Sequence, residues 1–320
     1  MAIRTKLADM FGLRHPVLLA PMARVSGGAL AAAVTNAGGL GFIGGGYGDR
    51  EWLAREYQRA GNTPVGVGFI TWALKKNPDL LNVALDRKPP AIFLSFGDLG
   101  DFAMQVKQAG VRLIAQVQSV AQAKRAIEDG ADAIIAQGTE AGGHGGQRAT
   151  LPLVPAIVDA AGDIPVVAAG GIGDGRGLAA SLMLGASGVL CGTAFYASEE
   201  SLAHPNVKRA ACAGSGDATR RGRIFDVVRN IDWPAQWNVR ALENDFSQRW
   251  GDDVDSLRAA MDSESGPYAA AVDAGDMSIA ATFVGEGVDL LAAIRPATEI
   301  VETISAEAYA LLRAAPRFCG

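Results

Sequence analysis

Eight short apolar runs, each followed by a helical pattern, constrain the fold of this chain more than any other feature. The runs lie at residues 17–22, 39–45, 65–70, 91–97, 112–117, 133–138, 165–171 and 188–195. Near-continuous apolar strands are typical of a parallel sheet that is buried on both faces. The intervening helical patterns include residues 27–38, 119–130 and 174–186. The alternation therefore predicts an α/β fold.

Two α/β architectures have this alternation, the (β/α)8 TIM barrel and the doubly wound open sheet. The eight units follow one another without a break in composition, which favours the barrel, whose functional groups lie on the loops after the strands. Residues beyond 197 lose the alternation and contain three of the five tryptophans. We expect a barrel over residues 1–197 and a smaller, mainly helical C-terminal cap over residues 198–296. A helix at about residues 297–314 would complete the barrel.

Composition and charge narrow the class of protein. The 320 residues are 49% hydrophobic with a net charge of −5, so a nucleic acid is not the expected partner. No apolar signal core and no apolar run of about eighteen residues is present, which favours a cytoplasmic protein with no membrane partner. Cys191, Cys212 and Cys319 lie far apart without a CxxC pair, so we expect neither a metal site nor a disulfide.

Glycine-rich segments follow several of the predicted strands. The segment IIAQGTEAGGHGGQ (134–147) contains five glycines and His144 directly after the sixth apolar run. A literal GxGxxG at Gly39, Gly41 and Gly44 lies within a predicted strand and follows a helix. A dinucleotide fingerprint instead follows a strand and opens a helix, so close packing is the favoured interpretation.

The loops after the seventh and eighth strands, AAGGIGDGRG (168–177) and GTAF (192–195), predict a phosphate site. Barrels often bind phosphate there through backbone N–H groups, and Thr193 can add a hydroxyl donor. Glycine caps and turns are the alternative. Thr71 and Gln116 end other strands, where they could hydrogen-bond the edge of a ring. Together with the Pro21–Met22 pair, these features indicate a planar cofactor with a phosphate, flavin mononucleotide (FMN).

Five motifs then resemble one known family over residues 12–197: APMA (20–23), NAGGLGFIGGGY (36–47), GTEAGGHGG (138–146), AAGGIGDGRG and GTAF. The chain is similar to nitronate monooxygenases, formerly called 2-nitropropane dioxygenases. The resemblance implies an FMN-dependent barrel that oxidises alkyl nitronates, such as propionate 3-nitronate, with O2 to a carbonyl compound and nitrite. The family also contains NAD(P)H-dependent reductases of quinones and enoyl thioesters, so such a reductase is the alternative function.

The resemblance also implies site residues. His144 falls on the family's catalytic histidine, which attracts a nitronate as a cation or accepts a proton from a nitroalkane as a neutral base. Arg24 and Val25 stand where many members have small residues, and Gln137 where some relatives have an acid. The expected partners are a small anion and O2, in a monomer or homodimer. The cofactor-binding residues are expected to be Ala20, Pro21, Met22, Thr71, Gln116, Gln137, Gly142, Gly143, Ala169, Gly170, Gly171, Gly192 and Thr193.

For several other residues, the sequence gives weaker evidence of a functional role. His15 precedes the first strand, where a structural role is usual, and His204 lies on a predicted surface segment. Ser95 and Asp98 end the fourth strand, and Ser95 could reach the pocket wall. Cys191 is expected to be a small packed residue. The arginines within residues 220–229 are predicted to lie on a solvated helix face rather than to steer an anion.

Overall fold

The computed structural model describes residues 3–318, and the strands in that range account for all eight predicted apolar runs. Cys319 lies outside the described residues. The strands are β1 (Val17–Leu19), β2 (Phe42–Gly46), β3 (Gly66–Ile70), β4 (Ala91–Ser95), β5 (Arg112–Val117), β6 (Ala133–Gln137), β7 (Gly143–Gly145), β8 (Val166–Ala169), β9 (Gly188–Cys191), β10 (Thr219–Gly222) and β11 (Asn238–Leu242).

Helices follow the barrel strands and continue through the C-terminal third of the chain. They are α1 (Lys6–Phe11), α2 (Gly28–Asn36), α3 (Arg50–Ala60), α4 (Thr71–Leu74), α5 (Asp79–Leu85), α6 (Gly100–Gln108), α7 (Val120–Glu128), α8 (Thr150–Ala161), α9 (Gly175–Met183), α10 (Thr193–Tyr196), α11 (Pro205–Cys212), α12 (Ile224–Val228), α13 (Asp245–Trp250), α14 (Val254–Ala259), α15 (Met261–Ala274) and α16 (Ala297–Ala314). Short 3-10 turns lie at Gly216–Ala218, Glu286–Leu290 and Ala315–Phe318. No helix among the described residues is both long and apolar enough to span a membrane.

Eight of the strands form one parallel sheet in the order β1-β9-β8-β6-β5-β4-β3-β2. A parallel bridge between Leu18 and Leu40 joins β1 to the chain that leads into β2. The sheet thereby closes on itself. This confirms the predicted TIM barrel, and the alternative of a doubly wound open sheet is wrong. All carboxyl ends of these strands meet at one face, which is where the site lies.

The core has two layers because each strand is apolar on both faces. Inside the barrel, side chains of alternate residues form one cluster that includes Phe42, Phe93 and Ile135. The larger cluster lies between the sheet and the surrounding helices. Gly41 allows α2 to approach β2, since an added Cβ there would lie 1.8 Å from the carbonyl oxygen of Ala31. Close packing thus accounts for the GxGxxG sequence.

The cap contains α11 to α15 and a small antiparallel sheet in the order β10-β11-β7. Strand β7 belongs to the loop after β6, so a barrel loop and the cap share one sheet. Helix α16 contributes Ile300, Val301 and Ile304 to the larger barrel core. The cap is therefore mainly helical, as expected. The division of the chain at residues 197 and 296 stays a prediction.

Candidate functional site

A large cavity lies at the carboxyl ends of the barrel strands, beneath the cap. Its volume is about 1340 Å³, which exceeds the roughly 300–1,000 Å³ of common small-molecule sites. The barrel contributes the loops that follow its strands, and the cap contributes residues 228–233 among others. The cavity can therefore hold two small molecules together, such as a cofactor and a substrate.

Most of the residues predicted to form the site line this one cavity. Thr71 does not: it begins α4, it is fully buried, and its Oγ1 has no hydrogen-bond partner among the described residues. Its side chain lies against Gly97, where an added Cβ would be 3.0 Å from Thr71 Cβ. The lining residues are His144 together with Ala20, Pro21, Met22, Gln116, Gln137, Gly142, Gly143, Ala169, Gly170, Gly171, Gly192 and Thr193.

The loops after β8 and β9 present unpaired backbone donors. The N–H groups of Gly171, Gly192 and Thr193 make no hydrogen bond with another described residue. Gly170 and Gly171 have φ angles of 109° and 69°, in the left-handed region that side chains other than glycine rarely adopt. The Oγ1 of Thr193 accepts a hydrogen bond from the N–H of Gly285 at 2.9 Å, so its own proton is free to be donated. These donors could bind an anion such as a phosphate group.

His144 is held through its backbone by both barrel and cap. It lies at the centre of β7, opposite Val239 of β11. The carbonyl oxygen of His144 accepts a hydrogen bond from Nε2 of Gln137 at 3.0 Å. The Oε1 of Gln137 accepts hydrogen bonds from the amide groups of Gln116 and Gln118. A chain of side-chain amides at the ends of β5 and β6 therefore supports the glycine-rich loop that carries His144.

The imidazole ring of His144 has three close neighbours. Its Nε2 lies 2.9 and 3.0 Å from the two carboxylate oxygens of Asp226 on α12. The ring of Trp233 stacks on it with a centroid distance of 3.4 Å and an interplanar angle of 10°. Phe96 approaches with its edge, at a centroid distance of 6.4 Å. The orientation of the imidazole is thus determined mainly by residues of the cap.

The surroundings of His144 favour its neutral form. Burial lowers the pKa of His144 below its usual value of 6.5, and Arg229 and Arg221 act in the same direction. The nearby Asp226 opposes this shift without reversing it. Arg229 also donates to the Oδ1 of Asp226 at 2.7 Å, and this cation offsets the effect of the carboxylate on His144. A neutral imidazole on a cavity wall can accept a proton.

Arg221 fixes the glycine-rich loop from the cap side. Its guanidinium donates hydrogen bonds to the carbonyl oxygens of Thr139, Ala141 and Asn238 at 2.9–3.0 Å. Burial lowers the pKa of Arg221 to about 10, so it remains charged at neutral pH. Because glycine has little intrinsic order, these bonds give the loop a defined shape.

The prediction that the arginines of residues 220–229 lie on a solvated helix face is wrong for most of them. Arg221 binds the loop backbone, and Arg223 donates to the carbonyl oxygen of Trp233 at 3.1 Å. Arg229 lines the cavity beside Asp226. Only Arg220 of this group forms exposed ion pairs, with Glu243 and Asp252. The sequence showed the cluster of arginines but not the surfaces that they face.

The two other histidines make structural contacts. His15 lies before β1 at the opposite face of the barrel, and burial lowers its pKa. His204 caps α11 by accepting a hydrogen bond from the N–H of Asn206. Unlike a surface residue, however, His204 also lines the cavity.

Among the weaker candidates, Ser95 lines the cavity and its hydroxyl donates to the carbonyl oxygen of Phe69 at 3.2 Å, while Asp98 is not among the lining residues. Cys191 is buried in β9, and burial raises the pKa of its thiol to about 12. A thiol with that pKa is a packed side chain rather than a reactive one.

Sequence reasoning missed Asp226, Trp233 and Arg229. These residues lie in RIFDVVRNIDWP (223–234), which has no recognisable motif. The only signal was a concentration of arginine and tryptophan in an otherwise irregular region. Such a concentration suggests a polar and aromatic surface but does not identify the residue that meets His144.

Comparisons with known proteins agree with this geometry. A curated dehydrogenase of 5-hydroxy-7a-methyl-1-oxo-octahydro-1H-indene-4-carboxyl-CoA from Rhodococcus jostii is 37% identical over 227 residues. That match covers 70% of this chain and 64% of the relative, so it spans less than two thirds of the relative's length. A nitronate monooxygenase from Paraburkholderia phytofirmans is 31% identical, with 94% of each chain covered.

Two solved structures share the fold over nearly the whole chain. FabK from Thermotoga maritima has a TM-score of 0.86 and 31% identity, covering 99% of this chain and all of the other. Nitroalkane oxidase from Streptomyces ansochromogenes has a TM-score of 0.81 and 31% identity, covering 97% and 99% of the two chains. The family model described as nitronate monooxygenase matches residues 4–70 and 65–307. The chain therefore belongs to the nitronate monooxygenase family and is an oxidoreductase.

Proposed function

We propose that this protein uses FMN to oxidise alkyl nitronates, such as propionate 3-nitronate, with O2 to a carbonyl compound and nitrite. One observation carries the proposal: His144, whose pKa is lowered by burial, lines the same cavity as the predicted FMN residues in a chain of the nitronate monooxygenase family. The cavity is large enough for a flavin and a small anion together.

The residues present fit FMN. The unpaired N–H groups of Gly171, Gly192 and Thr193 match the oxygen acceptors of a phosphate. Backbone at Pro21 and Met22 and the amide of Gln116 line the same cavity, where a flat ring can contact them. When bound between these residues, FMN would supply the redox chemistry, which is the acceptance of electrons from a nitronate and their transfer to O2.

The protein's own residues would bind the substrate and move its proton. His144 can accept a proton from the carbon of a neutral nitroalkane, a contribution of about 10²–10⁴-fold to such a step. Once protonated, the imidazole attracts the nitronate oxygens. Trp72 and Phe96 add apolar wall, which excludes water and strengthens electrostatic interactions within the cavity.

A spectroscopic experiment tests the proposal. The purified protein should show the absorbance of bound flavin, released on denaturation as FMN. Anaerobic mixing with propionate 3-nitronate or an alkyl nitronate should bleach that absorbance, and admission of O2 should restore it with release of nitrite. The absence of bleaching across several nitronates would refute the proposal. If His144→Ala oxidises nitroalkanes and nitronates at the original rates, His144 is not catalytic.

A second candidate is an NAD(P)H-dependent flavin reductase that acts on a quinone or an enoyl thioester. The likeness to FabK over the whole chain and to the Rhodococcus jostii dehydrogenase favours it. The size of the cavity also permits a substrate larger than a small nitronate. Anaerobic mixing with NADH or NADPH distinguishes the two functions, because rapid bleaching by a nicotinamide supports the reductase.

The cellular location, the partners and the oligomeric state of the enzyme follow from the same proposed function. We infer a cytoplasmic enzyme whose partners are a small anion and O2, present as a monomer or homodimer. Light scattering of the purified protein would measure the oligomeric state directly.

A further inference from the structure

We propose that Asp226 positions His144 for proton abstraction by holding the imidazole hydrogen on Nε2, which leaves Nδ1 as the atom that accepts the substrate proton. This inference rests on the proposed function for the identity of the substrate, a nitro compound. It assigns a role to a cap residue that lies 82 positions away from His144 along the chain.

The imidazole, and not Asp226, carries the hydrogen between these two groups. Both oxygens of Asp226 lie within 3.0 Å of Nε2 of His144, and the carboxylate is almost fully buried at 2% exposure. Its Oδ1 also accepts a hydrogen bond from the guanidinium of Arg229. An ionised carboxylate only accepts hydrogen bonds, so the hydrogen between the two groups belongs to Nε2. In the neutral imidazole, Nδ1 then carries no hydrogen.

The imidazole is also held against a flip about its Cβ–Cγ bond, a rotation that would place Cε1 instead of Nε2 opposite Asp226. Trp233 covers one face of the imidazole in a parallel stack. The backbone of His144 is paired with Val239 on one side and bonded to Gln137 on the other. A rotated ring would lose the Asp226 bond and leave a buried carboxylate with only Arg229 as its partner, which is costly. The orientation seen in the structure is therefore the stable one.

The Nδ1 atom of His144 is available to a substrate. This atom makes no hydrogen bond with any described residue, whereas His144 as a whole lines the cavity. An acceptor nitrogen next to the cavity is available to a substrate. The stacked Trp233 restricts the approach to the edge of the ring, which is the direction in which the lone pair of Nδ1 points.

The proton transfer balances without a further reactant. In a neutral nitroalkane, the bond between the α-carbon and hydrogen breaks, and the proton goes to Nδ1. The electron pair of that bond moves into the nitro group and gives the nitronate. The imidazolium formed faces Asp226 of α12, Arg229 directly after that helix and Arg221 of β10. Asp226 is the anion among these groups and stabilises the imidazolium.

Two substrates of the same enzyme separate this role from a structural one. A nitroalkane requires proton abstraction, whereas its preformed nitronate does not. In Asp226→Asn, the amide can donate to Nε2 and move the hydrogen to Nδ1. We expect kcat/KM for nitroethane to fall by at least about 100-fold, while kcat/KM for ethyl nitronate falls by less than about 10-fold. An equal loss for both substrates would show a general disturbance of the site and overturn the proposal.

A matched control removes another buried carboxylate. Glu56 is 1% exposed and accepts a hydrogen bond from the N–H of Gly28, away from the cavity. Glu56→Gln should lower stability without changing the ratio of nitroalkane to nitronate turnover. A change of that ratio equal to the change in Asp226→Asn would contradict the proposal. If the unmodified enzyme oxidises no nitronate, the proposed function fails, and the next measurement tests Asp226 independently.

That measurement observes the tautomer directly in the unmodified protein. The chain has only three histidines, so 15N-histidine labelling gives few signals, and His144→Gln identifies that of His144. We expect Nε2 of His144 to carry the hydrogen and Nδ1 to be unprotonated at pH 7.5. Detection of the hydrogen on Nδ1 would overturn the proposal, whether or not Asp226→Asn folds.

Discussion

His144 combines a buried position with an opposing carboxylate, and the balance of these two effects determines its charge. Burial favours the neutral imidazole, and Asp226 favours the charged one. Since burial outweighs the carboxylate, the residue can accept a proton at neutral pH. The same shift makes folding disfavour the protonated form, so His144 reduces the free energy of unfolding as the pH falls below about 6.5.

The lowered pKa of His144 predicts the pH dependence of nitroalkane turnover. The base is active when unprotonated, so kcat/KM should decline on the acid side with a midpoint below about 6.5, the usual histidine value. Steady-state rates between pH 5 and 8 would show this. The His15→Gln variant should leave the midpoint unchanged, because His15 lies at the other face of the barrel. A midpoint above 6.5 would mean that Asp226 outweighs burial.

Gly171 provides a second prediction for a single residue. Gly171 and Gly110 have nearly equal φ angles, 69° and 70°, but only Gly171 lies at the cavity. An alanine at either position should cost roughly 1 kcal/mol of unfolding free energy from backbone strain. Only Gly171→Ala should also weaken FMN binding. Its Cβ would lie 3.2 Å from Cβ of Glu140 and would displace the backbone N–H group that is proposed to bind the phosphate. If fluorescence titration gives equal FMN dissociation constants for Gly171→Ala and Gly110→Ala, the result would argue against the phosphate site.

At the scale of secondary structure, the pairing of β7 with β11 is the element that brings cap and barrel chemistry together. A barrel loop supplies His144, and strand β11 of the cap pairs with that loop. Arg221 reinforces this pairing through the carbonyl oxygens of Thr139 and Ala141. The loop that carries His144 is thus ordered by contacts outside the barrel.

Replacement of Arg221 tests this arrangement. Lysine retains the charge but cannot reach all the carbonyl oxygens at once. We expect Arg221→Lys to lower the free energy of unfolding by about 1–3 kcal/mol, since buried acceptors lose their partners. Displacement of His144 should lower kcat by about 10-fold or more. Arg220→Lys, which alters a half-exposed ion pair, should change neither quantity appreciably. Chemical denaturation and steady-state kinetics would check both variants.

At the scale of the whole molecule, the chain returns from the cap to the barrel. Helix α16 packs between α9 and α2, and the carboxylate of Glu307 accepts a hydrogen bond from the N–H of Gly175 at the start of α9. The first and last parts of the chain therefore share one core. The barrel should not be stable without its C-terminal helix.

Ile304 tests that shared core. It is 2% exposed within the larger barrel cluster, whereas Leu311 of the same helix is 38% exposed. Ile304→Ala should lower the free energy of unfolding by about 2–5 kcal/mol, and Leu311→Ala by well under half of that. Urea denaturation followed by tryptophan fluorescence should show one transition shifted as a whole. A separate early transition with an unchanged main one would contradict the shared core.

The sequence by itself determined the barrel and the face on which the site lies. Eight apolar runs specify eight buried strands, because a parallel sheet covered on both faces needs uninterrupted apolar residues. Glycine loops after β6, β8 and β9 then lie at one end of the barrel, since parallel strands end together. What these loops bind stays a prediction.

Only the tertiary structure decided which side chains meet. Thr71 directly follows β3, yet it is fully buried and is not among the residues that line the cavity. Asp226 and Trp233 meet His144 although nothing in their local sequence distinguishes them. The physical reason is that periodicity reports which residues are buried in an element, whereas the direction of a side chain and its distant partner follow from packing. The barrel could therefore be predicted from the sequence, whereas the environment of His144 could not.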